Sequence, residues 1–311
     1  MMLKFADLLE KNADEIAQLD SMNNGKPVGF ARNVDQDISI RTIRTFAGWV
    51  DKIHGKQISV DDPTCLVYTR KEPVGVCGMI LPWNFPTALM MWKLAPCLAS
   101  GSVAVIKTAE QTPLSSLRIA ELIHEAGFPP GVVNFVSGFG DIGAYLVKHP
   151  KVNKISFTGS TEVGFEIMRT AHEKHLKRVT LELGGKAACI ITKNADLKVA
   201  IPESVMGALF NTGQICTANS RTFVHESIYD AYLEGIKGMI QSLKVGNPLE
   251  KDTMLGPLSS KEQLDRVMGY IEKGKKEGAK VLIGGNKIEG KGFFFEPTIF
   301  TDVNDEMTIC K

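Results

Sequence analysis

The chain has 311 residues, 44% hydrophobic and 23% charged, a globular composition that excludes disordered and low-complexity classes. Thirty-six Lys plus Arg against 35 Asp plus Glu leave a net charge of +1, so no surplus exists for holding nucleic acid or an acidic membrane surface. Six cysteines (Cys65, Cys77, Cys97, Cys189, Cys216, Cys310) without a CxxC pair disfavour a disulfide scaffold or closed zinc site and suit a reducing compartment. Residues 1–16 set Leu3, Phe5, Leu8, Leu9 and Ile16 among charges, which predicts an amphipathic helix and not a secretory signal. Residues 55–73 alternate with partly polar β character, as an exposed hairpin arm does. The stretch 74–106 has Lys93 as its only charge, but Pro82, Pro86 and Pro96 break any membrane helix, so it reads as strand, turn, helix and strand.

From residue 74, β-branched runs at 74–80, 102–106, 132–136, 154–157 and 179–183 alternate with helical segments that include 113–127 and 161–175. That rhythm predicts an α/β fold with a doubly wound parallel sheet, because parallel strands need crossover helices. A second α/β unit begins near Gly184, with strands at 187–192 and 221–225 and helices at 197–211 and 227–243.

Chemistry-bearing residues gather at the strand-to-helix junctions. Pro82-Trp83-Asn84-Phe85-Pro86 is either a rigid turn or a rigid mount for an amide donor. SVAVI runs into Lys107 and Glu110, a cation and a carboxylate where cofactor riboses lie in such folds. Gly138, Gly140 and Gly143 form a literal GxGxxG after a strand, but no acid closes the next strand, so any ribose partner comes from elsewhere. Phe157-Thr158-Gly159-Ser160 precedes a helix, where Ser160 is either an N-cap or a pyrophosphate contact. Glu182 sits between Leu181 and Leu183, where desolvation would suit a general base; an ion pair with Lys186 competes. Cys216, among Gly213, Thr217 and Ala218, is a buried filler or an approachable nucleophile. His172 and His175 lack a third ligand, so no metal is expected.

Taken in order, PWNFP, KTAEQTPL, FTGSTEVG, LELGGK and FNTGQICTA resemble the NAD(P)-dependent aldehyde dehydrogenase superfamily, and 44–56 and 68–86 its acetaldehyde and retinal dehydrogenase branch. The resemblance implies Cys216 as nucleophile, Glu182 as general base and Asn84 as oxyanion donor. It implies NAD contacts at Ile80, Pro82, Trp83, Lys107, Glu110, Phe157, Thr158, Gly159, Ser160, Val163, Leu183, Gly184, Gln263 and Arg266, with Gly140 and Gly143 shaping the adenine side. Arg266 stands where the family more often has lysine. The implied organisation is a dinucleotide-binding domain (1–54 and 74–183), an oligomerisation arm (55–73) and a catalytic domain (184–311) left incomplete, because the family's EIFGPV segment is absent after Lys311. The expected partners are a small-molecule aldehyde and, at full length, further copies of the chain, in the cytoplasm or, given an upstream targeting peptide, the mitochondrion. A shortened, non-catalytic homologue that binds nucleotide or a partner subunit is the alternative.

Overall fold

The computed structural model describes residues 1–311. The chain folds as two compact units, Met1–Ala17 with Arg32–Glu182 and Gln18–Ala31 with Leu183–Lys311. The second unit thus takes in Gln18–Ala31, which sequence pattern alone groups with the first. The reason is non-local: the Val28 amide donates to the Pro248 carbonyl at 2.8 Å, and Gly25, at φ +83°, approaches Pro257 so closely that a Cβ would lie 2.8 Å from its ring.

The predicted N-terminal helix is two, α1 (Met2–Lys11) and α2 (Ala13–Asn24). Asn12 ends the first by donating its side-chain amide to the Leu8 carbonyl at 2.8 Å, a local bond that competes with helix continuation. A short α3 (Val28–Phe30) runs through a π-helical stretch (Ala31–Gln36) into α4 (Asp37–Ala47), whose Arg44 reaches Asp7 and Glu10 of α1. The hairpin arm follows as β1 (Gln57–Ile58) and β2 (Val67–Tyr68), paired antiparallel.

The sheet elements then come in strict alternation: β3 (Val76–Ile80), α5 (Pro86–Ala99), β4 (Val103–Lys107), α6 (Leu114–Ala126), β5 (Val133–Val136), α7 (Gly140–Lys148), β6 (Lys154–Gly159), α8 (Thr161–Ala171) and β7 (Arg178–Leu183). Strand order is β5-β4-β3-β6-β7, with β3 parallel to both neighbours and β4 parallel to β5. The order reverses between β3 and β6, and in doubly wound sheets ligands bind outside the carboxyl ends of the strands at such a reversal. One core joins Phe5 and Leu9 of α1, Ile43 of α4, Met90, Met91 and Leu94 of α5, Ile106 of β4 and Ile119 and Leu122 of α6. Each such side chain contributes about 1.5–3 kcal/mol of burial, which anchors the strand ends. Helix α8 stops four residues short of the predicted 175, where the His172 ring nitrogen meets the Met168 carbonyl at 2.7 Å.

In the second unit, β8 (Ala188–Ile191) crosses over through α9 (Leu197–Leu209) to the parallel β9 (Arg221–Val224), and α10 (Tyr229–Ser242) follows. Tyr232 donates to the Ser204 hydroxyl at 2.7 Å, tying α10 to α9 around Val205, Ile236 and Ile240. Beyond lie α11 (Lys261–Lys276) and the antiparallel pair β10 (Lys280–Ile283) and β11 (Ile299–Thr301). No helix is long and apolar enough to cross a membrane.

Candidate active site

In the first unit the marked residues collect at the carboxyl ends of three adjacent strands. Strand β3 ends at Ile80, and the next residue, Leu81, donates its amide to the Lys107 carbonyl at 3.0 Å, so the PWNFP turn is pinned to the end of β4. Pro86 starts α5 without sacrificing a helical hydrogen bond, and buried Phe85 anchors the turn. Pro82, Trp83 and Asn84 are left half-buried on that rigid mount. At the end of β4, buried Lys107 pairs with Glu110 at 2.9 Å. Burial alone would push the Glu110 carboxyl up, but the hydrogen bond and charge of Lys107 outweigh it and hold it below the usual 4.5.

Between β6 and α8, Ser160 is an N-cap, its Oγ accepting from the Val163 amide at 3.4 Å. Phe157 and Thr158 are buried, and the Thr158 hydroxyl has no protein partner. Gly159 is a steric requirement, since a Cβ there would lie 2.4 Å from the ring of Phe157. The GxGxxG loop is placed differently. It follows β5, the sheet's edge strand, two strands from the reversal; a Cβ on Gly140 would meet nothing within 4 Å, and one on Gly143 would lie 3.8 Å from Ile80. A dinucleotide fingerprint belongs on a strand at the reversal; the Phe157–Ser160 loop follows such a strand and the GxGxxG loop does not.

The expected enclosure of Glu182 is corrected. Strand β7 forms the other edge of the sheet, its residues alternate between exposed and half-buried, and Glu182 is an exposed one, so Leu181 and Leu183 do not desolvate it. Sequence spacing gives no sign of Lys93, half-buried on α5, whose ammonium donates to the Ser156 hydroxyl at 3.2 Å. Burial pushes Lys93 down to about 8, while the charge of Glu182 pulls it back up and Lys154 opposes. Only the reach of Lys93 from α5 to Ser156 of β6 brings these groups into one electrostatic neighbourhood.

In the second unit Cys216 is exposed, in a turn closed by the Ala218 amide on the Ile215 carbonyl at 3.1 Å. The approach to it is strained: Asn211 and Thr212 lie at φ 50° and 57°, in the left-handed region that non-glycine residues seldom occupy. Thr212 Oγ1 donates to the Gly256 carbonyl at 3.1 Å and Gln214 accepts from the Ser259 amide at 3.0 Å, which holds that backbone in place. On the far side, Asn219 donates to the Ser204 carbonyl at 3.1 Å and packs where a Gly207 Cβ would lie, 2.3 Å from its Oδ1. A Cβ on Gly185 would lie 3.8 Å from the Cys216 carbonyl, so the GGK loop flanks the turn, with Gly184 open beside it. Half-buried Gln263 and exposed Arg266 occupy one face of the first turns of α11. The first unit therefore carries Asn84, Lys107, Glu110, the Phe157–Ser160 loop and Glu182, and the second carries Cys216, Leu183, Gly184, Gln263 and Arg266.

A parallel sheet with this order, a capped helix at the reversal and a cation–carboxylate pair beside it define a doubly wound α/β protein of dinucleotide-binding architecture. The chain belongs to the aldehyde dehydrogenase family, whose sequence model matches residues 1–311. It is 49% identical over 312 residues to the mitochondrial aldehyde dehydrogenase of Rattus norvegicus, covering 100% of this chain and 60% of that one. It is 49% identical over 309 residues to retinaldehyde dehydrogenase 3 of Homo sapiens, covering 99% of this chain and 60% of that one. The NAD+ complex of an aldehyde dehydrogenase from Bacillus cereus superposes with a TM-score of 0.98 at 49% identity, over 100% of this chain and 63% of that one. The chain thus spans less than two thirds of the length of these relatives.

Proposed function

We propose that the protein oxidises an aldehyde to a carboxylic acid with NAD, through a thioester on Cys216. The observation that carries the reading is the exposed Cys216 in a strained, doubly braced turn, in a chain whose other unit holds a strand-order reversal of the dinucleotide-binding type. The residues present fit a dinucleotide. The unpartnered Thr158 hydroxyl, Ser160 and the first amides of α8 suit a pyrophosphate, Lys107 and Glu110 suit a ribose diol, and Ile80, Pro82, Trp83 and Val163 offer apolar and aromatic surface. Gly140, with open space where a Cβ would stand, leaves room on the adenine side, and Leu183, Gly184, Gln263 and Arg266 complete the set in the second unit. NAD, when bound, supplies the hydride acceptor.

The chain's own groups do the rest. The Cys216 thiolate attacks the carbonyl carbon, forming a C–S bond and an oxyanion. The Asn84 side-chain amide donates to that oxygen. Expulsion of hydride from the carbon leaves a thioester, and Glu182 takes a proton from water as the water attacks the acyl carbon. The C–S bond then breaks and the acid departs. The hairpin arm, with Ile58, Leu66 and Tyr68 exposed, serves assembly with further copies.

Aldehyde-dependent formation of NADH, followed by absorbance, tests the reading. Cys216→Ser should abolish it, a loss of at least about a thousandfold, while NAD binding in direct titration persists, because a hydroxyl without its own base is a far weaker nucleophile. Turnover that survives this substitution removes Cys216 from the mechanism. NAD binding without aldehyde oxidation in the unsubstituted protein favours a non-catalytic homologue.

A further inference from the structure

One segment takes no part in the proposed chemistry. Residues Gln18–Ala31 leave the sheet unit after Ala17, belong to the second unit and hand the chain back at Arg32. The excursion has a closed tip: the Ser21 hydroxyl donates to the Lys26 carbonyl at 2.6 Å, and the Lys26 amide donates to Asn24 Oδ1 at 2.8 Å. Two of its contacts reach the approach to Cys216. The ring of Phe30 lies against that of Phe210, centroids 4.9 Å apart and planes inclined at 57°, and Phe210 immediately precedes the left-handed pair Asn211–Thr212. Behind that pair, the Gly25 carbonyl presses on Gly256, where a Cβ would lie 1.7 Å from the oxygen, so the two backbones meet where only glycine fits. Gly256 is the residue whose carbonyl accepts from Thr212, and three residues on the Ser259 amide donates to Gln214 Oε1. Gln214 closes the circuit, its Nε2 donating to the Asn211 carbonyl at 3.1 Å.

We propose that the Gln18–Ala31 excursion is a positioning element for the Cys216 thiol, with Phe30 and Gly25 as its two points of support. The proposal rests on Cys216 as the nucleophile. A left-handed pair of non-glycine residues persists only where its surroundings over-determine it. Phe30 fixes the residue that enters the pair, and Gly25 fixes the loop that supplies its hydrogen bonds. Phe30 acts through Phe210: with its ring gone, Phe210 turns into the space left behind, the pair relaxes, and the Ile215–Ala218 turn shifts with it. A displacement of about 1 Å at a reacting atom costs about a hundredfold in rate, so the loss falls on turnover and not on cofactor affinity.

Hydrogen exchange followed by mass spectrometry, with steady-state kinetics beside it, tests the proposal. In Phe30→Ala the amides of residues 209–219 should exchange at least about tenfold faster while those of α10 and the sheet unit keep their rates. The kcat for aldehyde oxidation should fall about tenfold to a hundredfold, with KM for the aldehyde and the Kd of NAD each within about threefold. Phe30→Tyr keeps the ring and should restore both exchange and kcat. Should Phe30→Ala fold poorly, Phe30→Leu, which keeps apolar volume without the ring, should shift both readouts the same way by less. Unchanged exchange over 209–219 in Phe30→Ala would overturn the proposal. So would faster exchange spread through the whole second unit, or faster exchange at 209–219 with kcat unaltered. Turnover that survives Cys216→Ser would instead remove the thiol from the mechanism and leave the exchange result standing.

Discussion

Glu182 keeps its place in the reading although its surroundings differ from those its neighbours imply. Two flanking leucines promise enclosure only if the strand is covered on both faces, and β7 is an edge strand with an exposed face. An exposed carboxylate is open to water, which on the proposed mechanism suits activation of water in the second half of the reaction. Glu182→Gln is expected to slow steady-state turnover about a hundredfold or more while a first-turnover burst of NADH persists in stopped flow. Loss of the burst with the turnover would move Glu182 to the first step, as activator of the thiol. At Glu110 the ion pair with Lys107 sets a second expectation. Its carboxyl sits below the usual value in the fold, so the pair contributes stability above pH 4.5 and loses it as pH falls through the lowered value. On the proposed reading, the carboxylate at neutral pH would accept from a ribose diol and repel a 2′-phosphate. Glu110→Gln should weaken NAD and narrow its advantage over NADP by about tenfold in direct titration; equal affinities in the unsubstituted protein would defeat this account.

The strands and helices are the most legible level. Each β-branched run lies within a residue or two of an observed strand, from Val76–Ile80 to Arg221–Val224; the central β3, β4 and β6 leave the continuous apolar signature of buried parallel strands, and β7 the alternation of a strand with one exposed face. What pattern misses is decided elsewhere. Asn12 breaks a helix whose periodicity carries on past it, and Lys93 acquires its setting only when its side chain reaches Ser156 of β6. The GxGxxG motif reads as a fingerprint until strand order places it at an edge. The Cys216 turn shows the same dependence on packing: Asn219 holds α9 through Ser204 and fills the space left by Gly207. Gly207→Ala should force Asn219 aside and lower stability in urea by about 1–3 kcal/mol with little change in slope. Turnover should fall more than NAD affinity, since the displaced residue lies three positions from Cys216; unchanged stability and turnover would mean that Asn219 does not brace the turn.

At the scale of the molecule, division of labour follows chain topology. The sheet unit offers a strand-order reversal, and the second unit offers a braced, exposed thiol. The hairpin arm is part of the first unit but adds no residue to its core. Its strands have two residues each, too few to be stable on their own in water, yet Leu66 and Tyr68 are 71% and 66% exposed. An apolar hairpin without a core of its own gains burial only against another surface, and a closed assembly of identical chains supplies one without leaving an edge open to aggregation. Leu66→Asp combined with Tyr68→Lys removes apolar area from the arm while touching none of the residues placed at the reversal or the thiol. The pair should lower the mass of the species seen by light scattering, and should leave the circular dichroism of the fold intact. An unchanged mass, with the unsubstituted protein assembled, would assign assembly to another face and leave the arm a surface feature.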